Sequence, residues 1–461
     1  MDDAGVRDVR AEVWGAVDLL LAEPASGRSR PAVVAGWFAV AVLSGLVALD
    51  HAHGYVLAVL APEIGTAFGV GASVLAGLLF LRVLGYLLAA KATAGRGRVP
   101  GGPPLLAATG AMVWAGAALV AGVWASLWIL ALATLAYGAA SASVPVAHPR
   151  LLRRLYGERS TAMEVHRNAG RVGNVLAAAL PGLVLVLGGT WRSAFVVAGC
   201  VSLPFAIALA MLAGRWRGND LRTARAIASA SDARVGEALE RLAAVPELRR
   251  LMLAMAGVAV LEIPLYAYLF TLLDQRWGIG PAGRGALAAA LEGVSVVISL
   301  LMVRRRRGLA RTEPGRLLLG LAAALVVGAG ALVSLALTSS QAAGLVFIVV
   351  TALVLSPITP LLWIGPLAIV GVRRVDGRRA AAELAGVVGV GVVGLTLAWV
   401  AERAGGPAGA LLFLSPLLLV PAALAVWTAV QLGSTVSSDL RSSTGTGTSA
   451  LASDSSRIAS A

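Results

Sequence analysis

Long apolar blocks separated by short polar turns occupy nearly the whole chain. They fall near residues 32–60, 71–90, 103–122, 124–147, 161–187 and 193–213. After a polar stretch at 215–247, further blocks fall near 249–273, 283–303, 316–337, 342–371, 380–401 and 407–430. Most reach about the 20 residues that an α-helix needs to cross a bilayer core, where backbone groups must be satisfied within the segment. The pattern predicts an all-α membrane protein of about twelve transmembrane helices in two six-helix halves. Two divisions, at Trp124–Ser126 and Thr338–Gln341, rest on length alone, because each splits one continuous apolar block.

The expected organisation follows from these blocks. Residues 1–30 form a cytoplasmic N-terminal segment, in which Val6, Val9, Val13, Val17 and Leu20 recur at helical spacing, as in an amphipathic helix on a membrane surface or a solvated tail. Residues 31–214 form the first half, 215–248 a cytoplasmic linker and 249–433 the second half. The Ser/Thr-rich tail at 434–461 lacks the large apolar residues needed for a core and is expected to be disordered. The start, Met1-Asp2-Asp3, lacks the basic and apolar pattern of a cleaved secretory leader.

Composition supports the membrane assignment. The chain is 58% hydrophobic and 13% charged, with a mean hydropathy of +0.83, whereas soluble domains carry roughly 25% charged residues. The net charge of +14 would point to nucleic acid in a soluble protein, but the basic residues lie in turns between apolar blocks. They read as topology signals, and no nucleic-acid partner is expected. With both termini cytoplasmic, the inner loops carry 22 Lys and Arg, and the outer loops carry only Arg192, Arg276 and Arg403. An odd number of crossings would destroy that asymmetry, so the expected location is the inner membrane, multi-pass, with the lipid bilayer as constant partner. The single cysteine, Cys200, cannot form a disulfide or a cysteine metal site within one chain.

Several strings carry a family resemblance. The stretch Leu49 to Val70, "LDHAHGYVLAVLAPEIGTAFGV", resembles the end of the first helix of the major facilitator superfamily. "ERSTAMEVHRNAGRVGNVLAAALPGLVLVLGGTWRSAF", from Glu158 to Phe195, is similar to its fifth helix and the Trp-Arg opening of its sixth. "VPELRRLMLAM", from Val245 to Met255, resembles the exit from its central linker. The family's signature after helix two is reduced here to Gly85, Lys91 and Gly95-Arg96-Gly97-Arg98, without its aspartate, and the stretch Ala131 to Tyr137 in helix four lacks the arginine of many drug exporters. The resemblance implies two halves flanking a central cavity and secondary active transport of a small solute by alternating access. A non-transporting scaffold or an accessory permease subunit remains the alternative.

Polar residues inside apolar blocks supply the candidate chemistry, because an ionisable group at bilayer depth usually faces a cavity or a partner. Asp50 and Arg82 lie at similar depth, roughly 16 Å from the outer surface at 1.5 Å per residue, so an ion pair between them is expected, with His53 one turn beyond Asp50. The pair would be a static lock or a gating element. Glu164, Arg167, Arg171 and Asn174 share one helical face. The first two are near enough to the surface to anchor there, whereas Arg171 is deeper. Glu262 and Glu292 fall near the middle of their blocks with no basic residue within one turn, which suits proton carriers or carboxyls bonded to a neighbouring helix. Pro357, Pro360 and Pro366, around Trp363, mark a broken helix that could act as a gate.

An intramembrane enzyme would have to use the "DHAH" string, Asp50 to His53. His51 and His53 point about 160° apart on a helix and cannot share a metal on one face. No glycine-rich nucleotide loop is present either. The chain is therefore expected to be a non-enzyme without metal or cofactor, with a solute as its small partner and protons as a candidate second one.

Overall fold

A computed structural model describes residues 34–95, 102–156, 161–215, 246–312, 314–355 and 377–431. The first crossing consists of α1 (Val34–Leu49) and α2 (Ala52–Val59), interrupted at Asp50–His51. A short α3 (Ala61–Phe68) follows. It ends on Gly69, whose φ of 65° is accessible to glycine at little steric cost. The first half continues with α4 (Ala72–Gly95), α5 (Gly102–Val123), α6 (Leu127–Ser141), α7 (Ser143–Tyr156), α8 (Thr161–Val186) and α9 (Trp191–Arg215).

The second half contains α10 (Pro246–Trp277), α11 (Pro281–Thr312), α12 (Pro314–Leu337), α13 (Gln341–Leu355) and α14 (Gly377–Leu414), then a 3-10 turn (Ser415–Leu418) and a helix over 419–431. Ten segments among the described residues are long and apolar enough to cross a membrane. One of them, 382–431, is 50 residues long and is broken by the non-helical Gly405 and Gly406, and α13 adds a shorter apolar helix. The described residues thus account for twelve crossings, six in each half.

Both divisions that length alone demanded are present, since residues 124–126 and 338–340 leave the helix. Arginines finish them. Arg192 Nε donates to Gly122 O at 3.0 Å, and Arg276 Nη1 donates to the carbonyls of Ala336 and Thr338, each at 2.8 Å. Each places a cation on carbonyls that a helix C-terminus leaves without an intrahelical donor. Two of the three arginines predicted to be external therefore close helix ends.

Within the first half α5 packs on α9, α4 on α6 and α1 on α8; within the second, α10 packs on α14 and α12 on α13. Across the halves α8 meets α11, and α4 meets α10 and α14. Small residues allow the first of these approaches: a β-carbon on Gly182 would stand only 3.2 Å from the Ala282 Cα. Trp128, Leu187 and Leu337 point outward, as suits a surface solvated by lipid. The N-terminal segment, the linker between Arg215 and Pro246, the tail and the proline-rich stretch expected to act as a gate (Pro357, Pro360, Trp363 and Pro366) lie outside the described residues.

Candidate functional site

The break in the first crossing organises one wall of the site. Interrupting a helix leaves carbonyls without their i+4 donors. Here those of Leu49 and Asp50 are taken by side chains: Tyr137 Oη donates to both, at 3.2 and 2.8 Å, and Arg82 Nη2 donates to Asp50 O at 3.1 Å. The guanidinium also lies 5.6 Å from the Tyr137 ring centroid and occupies the space that a β-carbon on Gly54 would fill.

This corrects the expected ion pair. Arg82 meets the main chain of Asp50, not its carboxylate, because the broken helix presents a carbonyl that needs a donor. The Asp50 Oδ1 has no hydrogen-bond partner among the described residues.

His53 lies off the cavity. It is fully buried, stacked on Tyr137 at 4.3 Å and edge-on to Phe195 at 4.8 Å, and its Nε2 lies 3.1 Å from Thr134 Oγ1. Thr134 donates its hydroxyl hydrogen to Leu130 O at 2.7 Å, so His53 is the donor in their bond and carries its proton on Nε2. It is a packing residue behind the wall.

Between the halves is a cavity of about 360 Å³. Of the residues singled out from sequence, Arg82, Arg171, Asn174, Glu262 and Glu292 line it, whereas Asp50 and His53 do not. The basic groups come from the first half and the carboxyls from the second. Tyr55 Oη of α2 donates to Glu292 of α11, and the Asn174 amide of α8 bonds the same carboxylate, so one acidic group ties both faces together. Arg171 has no hydrogen-bond or ionic partner among the described residues, although it sits at the level of the first crossing's break, with neighbouring Gly173 pressed against Ala48.

Sequence reading missed His51, Tyr55, Tyr266, Ser295 and Thr351 in the lining. Helical spacing carried a signal for three of them. Tyr55 is four residues after His51, Tyr266 four after Glu262, and Ser295 three after Glu292.

A second cluster joins the halves at the end of the bundle predicted to be external. Arg284, at the start of α11, is fully buried. Its Nη1 bonds Asp274 Oδ1 at 2.6 Å and Ile279 O at 2.8 Å, its Nε bonds Val59 O at 2.9 Å, and its Nη2 bonds the Glu63 carboxylate. Glu63 and Val59 belong to the first half. Nearby, Glu402 accepts the Ala72 and Ser73 amides at 2.8 and 2.9 Å, capping α4 from the opposite half.

This architecture matches solved structures. A bacterial homologue of the human lysosomal transporter Spinster, in an inward-facing and unoccupied conformation, superposes with a TM-score of 0.57 at 15% identity, covering 87% of this chain and 96% of that one. The chain has the major facilitator fold. A D-xylose–proton symporter (TM-score 0.55, 12% identity, covering 86% of this chain and 96% of that one) and the nucleoside transporter NupG (TM-score 0.57, 11% identity, covering 86% and 99%) share it. No family model matches the sequence, and no curated protein sequence matches it. In this chain the cavity described above lies between the two halves, and the Arg284 cluster joins them a second time.

Proposed function

We propose that the protein is a secondary active transporter that moves a small solute across the cell membrane by alternating access of its two halves, coupled to protons through Glu292 or Glu262. The observation that carries this reading is the Glu292 carboxylate, which accepts donors from Tyr55 and Asn174 on the opposite half inside the central cavity. A carboxylate can accept both donors. A neutral carboxyl has given one oxygen over to its own proton, so protonation weakens the tie between halves where the solute would sit. Glu262 lines the same cavity one turn before Tyr266 and supplies a second carboxyl. The match to a proton symporter and other transporters supports the assignment of the fold to transport.

The test is purified protein in liposomes carrying Glu292→Gln or Glu262→Gln. A carrier coupled through one of them loses accumulation driven by a pH gradient and keeps solute exchange at equal pH, because exchange needs no net proton movement. If both variants accumulate solute as wild type does, the coupling assignment is wrong.

A further inference from the structure

Resting on that reading of the cavity, we infer that the solute is a compact organic anion with an apolar body, its acidic group held by Arg171. An arginine is charged at every accessible pH, and at bilayer depth that charge needs an anion or an array of acceptors. Arg82 already has both an acceptor and an aromatic face. Glu292 is already supplied with donors from Tyr55 and Asn174. Arg171 faces the same cavity with neither among the described residues, so the fork that can grip a carboxylate or sulfonate with two parallel bonds stands open to the space a solute would fill.

One apolar wall of the same lining selects the body of the ligand. Leu261, Leu265, Leu335, Ile348, Leu414 and Leu418 come from five elements of the second half and form a wall whose side chains offer no hydrogen bond. A polyol pressed against it would lose water from its hydroxyls without replacement, costing about 1–3 kcal/mol for each unpaired group. An organic cation would bring like charge towards Arg171. An apolar body loses nothing there, and a volume of about 360 Å³ is at the small end of the usual range for organic ligands.

The experiment uses the full chain in lipid nanodiscs and three probes with one ring system: 2-naphthalenesulfonate, which stays ionised across the working pH range, a naphthyl trimethylammonium and a naphthyl glucoside. Methanesulfonate, an anion without a body, is the fourth. Calorimetry should show saturable binding of naphthalenesulfonate, with each of the other three weaker by on the order of tenfold or more. Arg171→Gln should remove that preference, and Arg171→Lys should keep part of it. Equal or tighter binding of the cation or the glucoside to wild type overturns the proposal without needing any variant to fold. Unchanged sulfonate affinity in a folded Arg171→Gln protein, or no binding of the sulfonate at all, also overturns it.

Counterflow of labelled probe in liposomes reads transport separately. Arg171-dependent sulfonate binding without counterflow supports the anion site and removes the transport reading. Counterflow of the cation or glucoside in preference to the sulfonate removes the anion class and leaves transport standing.

Discussion

The predicted outer end of the bundle and the central cavity both join the two halves through charged groups, but they are finished differently. At the outer end, Arg284 is fully buried with bonds to two carboxylates and two carbonyls, and Glu402 takes two helix N-terminal amides. In the cavity, Arg171 has no partner among the described residues, and Glu292 is held by a hydroxyl and an amide, with no ion pair among those residues. A buried charge with every donor used resists separation, because parting it exposes each group to an environment without a replacement. A charge facing a cavity can exchange a protein partner for water or a solute at small cost. The outer end is thus built to hold the conformation seen here, and the cavity to change partners.

The largest effect is expected at Arg284. Arg284→Gln leaves Glu63 and Asp274 facing each other without a cation and removes a donor from Val59 O. Breaking a buried pair costs about 3–5 kcal/mol. Glu63 and Asp274 retain side-chain exposures of 26% and 37%, which places the expected loss near the lower figure. With Cys200 replaced by serine, a cysteine at Ala58 in the cavity lining reports opening through its labelling by an impermeant thiol reagent added outside. Arg284→Gln should raise that labelling strongly and lower the melting temperature, and adding Glu63→Gln should restore part of both. Unchanged labelling would show that the cluster does not hold the end closed.

The same reporter ranks the weaker ties. Glu402→Ala removes an exchange of two amides for one carboxylate at the start of α4, worth about 1–2 kcal/mol for a charged helix cap. Labelling of the Ala58→Cys protein should rise, but less than for Arg284→Gln. Tyr55→Phe removes the hydroxyl donor to Glu292, and cavity water can take its place, so about 0.5–1 kcal/mol is expected with a barely raised labelling rate. If Tyr55→Phe exceeded Glu402→Ala, the division of labour between the two regions would be reversed.

The sequence made some parts of this legible and hid others for physical reasons. The crossings could be read because lipid demands about 20 apolar residues per helix, and even the unmarked breaks at 124–126 and 338–340 follow from that length. Arg82, Arg171, Asn174, Glu262 and Glu292 stood out because burying such groups in an apolar run is costly, and all five line the cavity. Arg284 did not stand out. It is the fourth residue of α11, where an arginine ordinarily snorkels to the surface, and nothing local reveals that Glu63, 221 residues earlier, will bury it. His53 was legible as an intramembrane polar group, but its role depends on Thr134, 81 residues away. The interruption at Asp50–His51 has no proline or glycine at those positions to announce it, so the use of the Asp50 carbonyl was invisible.

That hidden carbonyl yields the smallest expected effect and the sharpest check on how the cavity wall is held. An Asp50–Arg82 ion pair would make Asp50→Asn costly, because Arg82 would lose its counter-charge in a low-dielectric site. In the geometry observed, Arg82 keeps its acceptor when the carboxylate is removed, since the acceptor is the backbone oxygen. The Asp50 Oδ1 finds no donor, so an amide in its place gives up no hydrogen bond at that oxygen and removes a partly buried charge. Asp50→Asn should therefore leave the stability, read from thermal unfolding, within about 0.5 kcal/mol of wild type. Arg82→Gln should cost about 1–3 kcal/mol by stripping a donor from a carbonyl at the helix break. The double variant should equal the sum of the two to within about 0.5 kcal/mol. A coupling well above that figure would mean that Arg82 reads the carboxylate after all and that the wall is held by charge, as the outer end is.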